Sequence, residues 1–74
     1  MDVEVRFNQG IITGDDVRNL LKVFPELETN FKQRKKYDEY YFDEKVVELN
    51  IENLKKLSEL FKFEMYSNNL KILL

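Results

Sequence analysis

Apolar residues in this chain recur at every second position, then at every third or fourth, then at every second again, and that switching limits the fold more than any motif does. Residues Asp2 to Phe7 alternate strictly, which puts Val3, Val5 and Phe7 on one side of an extended strand and Asp2, Glu4 and Arg6 on the other. Val17, Leu20, Leu21 and Phe24 then fall at helical spacing and make one apolar stripe. Thr13 with Asp16 three residues later has the pattern of a helix cap, and Asp15 suits the positive end of a helix dipole. Pro25 disfavours helical geometry at the residue before it, so this helix ends near Phe24.

Residues 29–49 are rich in aromatic residues suited to strands, without a clean period. A tight turn at Asp43-Glu44 would make a hairpin that sets Tyr40 opposite Val47 and Tyr41 opposite Val46, although the turn lacks the usual Gly or Asn. Asn50 is a good helix cap, and Ile51, Leu54, Leu57, Leu60 and Phe61 form a second helical stripe. Phe63 and Met65 alternate with Glu64 and Tyr66. After turn residues at Ser67-Asn68-Asn69, Leu70 to Leu74 return as an apolar strand.

These elements predict one α+β domain over residues 1–74. Their order is strand, helix, strand, strand, helix, strand, and a last strand. The first six follow the split βαβ, or ferredoxin-like, order βαββαβ, which implies an antiparallel sheet with two helices on one face. In the alternative arrangement the helices pack elsewhere and the sheet splits into hairpins.

Missing residue types restrict the chemistry. A chain with no Cys and no His has no disulfide, thiolate nucleophile, Cys/His zinc site or imidazole base. No cofactor motif is legible, and the expectation is a non-enzymatic protein with no catalytic, cofactor or metal residues. The acidic pairs Asp15-Asp16, Asp38-Glu39 and Asp43-Glu44 lack the spacing of an oxygen-ligand loop, and capping and turn roles explain the first and last of them. Absence of Cys suits a cytoplasmic chain, and neither a leader pattern nor a membrane-spanning apolar run is seen. The chain lacks Ala and Trp and is rich in Lys, Asn, Ile, Tyr and Phe. That composition suits an AT-rich genome, that of a low-GC bacterium or of a virus or mobile element living in one.

Binding is the remaining function, and three surfaces offer it. Strand alternation sends Glu4, Arg6, Tyr41, Val46, Glu48, Glu64 and Tyr66, with Tyr37 if its strand is regular, to the sheet face away from the helices. Such a mixture of aromatic and charged groups suits a protein partner, as in an inhibitor or regulator. Arg34, Lys35 and Lys36 beside Tyr37 and Tyr41 form a basic-aromatic segment within 32–42, the alternative being a single-stranded nucleic-acid surface. Four positive charges at 32–37 are followed by four negative ones at 38–44, which favours reading the basic run as protection of a sheet edge. Finally, Leu70, Ile72, Leu73 and Leu74 would lie on an outer strand with apolar groups on both sides. A homodimer, strand addition by another protein, or a place inside the sheet would each cover that strand.

Overall fold

In the computed structural model, which describes residues 1–74, the N-terminal alternation becomes β1, Asp2–Phe7, with Val3 and Val5 fully buried. The chain then forms the short β2, Ile12–Thr13, and α1, Gly14–Val23. Thr13 caps α1 by accepting from the Asp16 amide at 3.4 Å. At the other end, the Phe24 amide donates to the Leu20 carbonyl, and Pro25 opens a 3-10 helix over Pro25–Asn30. A proline is tolerated there because the first amides of a helix have no internal acceptor. A Cβ at Gly14 would overlap the Asp38 carboxylate, so a larger residue there makes that side chain move.

The aromatic segment forms two short strands, β3, Phe31–Gln33, and β4, Glu39–Phe42. Next come β5, Lys45–Glu48, and α2, Ile51–Leu60. Asn50 and Asn53 close a reciprocal cap at the start of α2, where each amide donates to the other's side-chain oxygen. The chain ends with β6, Lys62–Tyr66, and β7, Asn69–Leu73.

Seven strands divide into two sheets. The larger has the order β5-β1-β7-β6, with β1 and β7 parallel and the other neighbours antiparallel. The smaller has the order β2-β4-β3 and is antiparallel. The protein is therefore a small α+β domain with a mixed sheet, and its strand order is not the expected ferredoxin-like, wholly antiparallel one. Leu20, Val23, Phe24, Leu27 and Leu57 pack on the side of the large sheet that carries Val3, Val5, Val47, Leu70 and Ile72. Both helices thus share one face of that sheet, as expected.

Two further expectations are corrected. Asp43-Glu44 does not turn β4 back onto β5, so Tyr40 and Tyr41 do not face Val47 and Val46. β4 instead pairs with β2 and β3, setting Tyr40 beside Ile12 and Gln33, and Tyr41 beside Lys32. Aromatic packing accounts for the split: the Phe42 ring lies 4.7 Å from Phe7 and 5.0 Å from Phe31, an apolar cluster that pairing with β5 would break. The second correction concerns β7, which is not an edge but lies between β1 and β6. Leu70 and Ile72 are completely buried there, whereas an outer strand would leave them partly in water.

The β6–β7 turn predicts a simple stabilisation. Ser67 holds a left-handed φ of 52°, which costs a side-chain-bearing residue about 1–2 kcal/mol and glycine nothing. Ser67→Gly loses part of that gain to the freedom of the unfolded chain. A net rise of about 0.5–1 kcal/mol in urea-unfolding free energy is expected, and a fall would show that the turn is not strained.

Candidate binding surface

Strand alternation that buries the valines of β1 turns Glu4 and Arg6 to the opposite side of the large sheet, which no helix covers. Register then assembles the remaining groups. Val46 and Asn69 flank Glu4, Lys71 stands beside Arg6, Glu64 stands beside Lys71, and Tyr66 stands beside Asn69. Glu48 faces Asp2 at one end and Lys62 faces Leu73 at the other. Asp2, Glu4 and Glu48 lie toward β5, whereas Arg6, Lys71 and Lys62 lie toward β6 together with Glu64. Val46 and Tyr66 are each 60% exposed on this face, far more than a strand residue with a packed neighbour would be.

Local bonds order several of these side chains. The Arg6 guanidinium reaches both oxygens of Glu4 at 3.2 Å. Hydrogen-bond coupling with Glu44, and then hydrogen bonding from Arg6, holds the Glu4 carboxyl below the usual carboxylate range, against a smaller effect of desolvation. The Tyr66 hydroxyl donates to Glu64 Oε2 at 2.7 Å, and that bond and the adjacent negative charge raise the phenol above its ordinary value. Tyr66 is thus an exposed ring with a restrained orientation, which reduces the entropy lost when a partner covers it.

At the border between the sheets, Arg6, Phe7, Gln9, Gly10, Phe42 and Glu44 line an open cleft of about 230 Å³. The Phe7 and Phe42 rings meet there edge to face, at 82°. The cleft is smaller than the roughly 300–1,000 Å³ of ordinary small-molecule sites but has room for one inserted side chain. Lys62, Asn69 and Lys71 on the open face and Phe7, Gln9, Gly10, Phe42 and Glu44 in the cleft escape sequence reasoning as site residues, whereas alternation puts Asp2 on the outer side of its strand and Leu73 is among the residues expected at the C-terminal edge. The parity of Lys71 and Leu73 against Leu70 and Ile72 carries a signal for those two, but the pairing of β7 with β1 does not.

The other expected site residues are dispersed. Tyr41 belongs to the small sheet. Tyr37 sits in the loop between β3 and β4, so neither joins the open face. That loop is closed on itself: the Tyr37 amide donates to the Arg34 carbonyl at 3.1 Å and the Gln33 side chain donates to the Tyr37 carbonyl at 2.9 Å. Arg34 pairs with Glu39 at 3.1 Å, and Lys32 pairs with Asp43 at 2.8 Å, which raises the Lys32 ammonium above its usual range. Lys35 and Lys36 project from the loop beside the exposed Tyr37 ring, with Lys35 in the left-handed region at a φ of 52°. Among the acidic pairs, Asp15 and Asp38 converge on Arg18 at 2.7 and 3.1 Å. Leu70 and Ile72 are core, while Leu73 and Leu74 are half-buried. No helix is long and apolar enough to cross a membrane.

No protein-family model, no curated protein and no solved structure matches the chain.

Proposed function

We propose that this chain is a protein-binding module of the inhibitor or regulator type, which engages its partner through the open face of the four-stranded sheet. One observation carries the reading: exposed Val46 and Tyr66 are joined by Glu4, Arg6, Glu64 and Lys71 into one continuous face with both charge signs, lying over no other element. A partner with complementary charges and one aromatic or aliphatic side chain directed at the cleft would fit it. Nucleic acid is a poorer match, because Arg34 and Lys32 in the basic segment are already neutralised by carboxylates.

Affinity capture from the source cell with three versions of the chain tests this. A protein partner should bind the wild type and a Lys35→Ser/Lys36→Ser loop variant alike, and should be lost with Val46→Lys/Tyr66→Ser. Single-stranded nucleic acid recovered with the wild type and lost with the loop variant would overturn the proposal in favour of the basic segment.

A further inference from the structure

The two outer strands of the large sheet differ in their cover. Beside β5 lies the 3-10 helix, with Lys45 donating to the Glu26 carbonyl at 2.9 Å and the Asn30 side chain donating to the Asp43 carbonyl at 2.9 Å. β6 pairs with β7 on one side and has no neighbour on the other. Register identifies its outward groups. Tyr66 and Asn69 flank a two-residue turn and must be a hydrogen-bonded pair, so bonded pairs recur at Glu64 with Lys71 and at Lys62 with Leu73. The backbone N–H and C=O groups of Phe63 and Met65 therefore point away from the sheet, as a template for another strand.

The side chains along this edge are sorted by face. On the core side, Phe61 and Phe63 are only half-buried, Met65 is 37% exposed, and Leu60 at the end of α2 is 43% exposed. On the open side stand Lys62 and Glu64, of opposite charge and two residues apart. Glu64 uses Oε2 to accept from Tyr66 and has Oε1 left for a cation.

We propose that two copies of the chain pair their β6 strands antiparallel about a two-fold axis at Phe63, joining their large sheets into one. In this register each Lys62 faces the other copy's Glu64, and each Phe61 faces the other copy's Met65. The outward groups of Phe63 meet across the axis as a bonded pair. Moving the axis to Glu64 would set two carboxylates against each other, and moving it to Lys62 would oppose two ammonium groups, both destabilising. Only the axis at Phe63 brings opposite charges face to face. The inference goes beyond the proposed function and does not rest on it: it uses the free backbone edge of β6 with Lys62 and Glu64, of which Glu64 also borders the proposed partner face.

Sedimentation equilibrium at high micromolar concentration and low salt tests it. The wild type should show a monomer–dimer equilibrium. Lys62→Glu and Glu64→Lys each turn two attractive pairs into repulsive ones and should weaken the dimer about tenfold, while the double exchange restores it. Both positions lie on the sheet surface, so circular dichroism should show all three variants folded. Met65→Pro removes an outward amide without breaking the β6–β7 ladder and should be monomeric. Val46→Lys, on the open face beyond the β6 edge, should leave the dimer unchanged. A monomeric wild type overturns the proposal, and so does a dimer that the single reversals leave intact, that the double exchange fails to restore, or that Val46→Lys abolishes.

Discussion

Leu57→Ala should remove roughly 2–5 kcal/mol of stability, the range for truncating a buried leucine. Leu57 is completely buried where α2 meets the sheet, in one cluster with Leu20, Phe24, Val5, Leu70 and Ile72. A domain of this length is expected to be stable by about 4–11 kcal/mol in total, so the single change takes a large share of it. Ile51 supplies the control on the same helix. It is 86% exposed, and Ile51→Ala should move stability by less than about 0.5 kcal/mol. Urea melts of the two variants check both statements, and equal midpoints would mean that α2 faces the other way. The contrast matters because Ile51 and Leu57 lie on the same apolar stripe in the sequence, and only one of them reaches the core.

Phe42→Ala should act differently, by loosening one sheet before the other. Its ring is half-buried but joins Phe7 of the large sheet to Phe31 of the small one. Removing it leaves Phe31, whose ring still lies 6.4 Å from Phe7, with Ile12 and Tyr40 as the remaining apolar anchors of the small sheet. A loss of about 2–3 kcal/mol is expected, somewhat below that for a fully buried phenylalanine. Hydrogen exchange gives the more specific readout: amides of 31–42 should lose protection while those of β1 and β7 keep theirs. Uniform loss across both sheets would show instead that the two open as one unit. Because Phe42 and Phe7 also line the cleft, this variant should weaken any partner that inserts a side chain there.

Much of the local structure was legible from residue spacing. Strict alternation at Asp2–Phe7 specified a strand and which of its sides is buried, and Thr13, Pro25 and Asn50 marked helix boundaries that the structure reproduces. Alternation likewise placed Glu4, Arg6, Val46, Glu48, Glu64 and Tyr66 on the uncovered face, because side-chain direction depends only on parity once a strand exists. Strand partners were not legible. Parity says which side of a sheet a residue occupies but carries no information about which strand lies beside it. The Asp43-Glu44 region therefore looked like a hairpin, and Leu70–Leu74 looked like an outer strand.

Long-range burial decided those questions. Phe7, Phe31 and Phe42 cluster from three separate parts of the chain, and that contact draws β4 away from β5 into a second sheet. β1 pairs with β5 on one side and with β7 on the other, where Leu70 and Ile72 meet Val5 and Phe7. The 3-10 helix, whose Leu27 joins the core, has no period of its own to reveal it. Local propensity and alternation are properties of neighbours in sequence, and they determined β1, α1, β5, α2, β6 and β7 and the inner faces of those strands, but not β2, the 3-10 helix or the division of 31–42 into β3 and β4. Strand order, the division into two sheets and the exposed edge at β6 depend on apolar area removed from water between residues far apart in the chain, which only the tertiary structure decides.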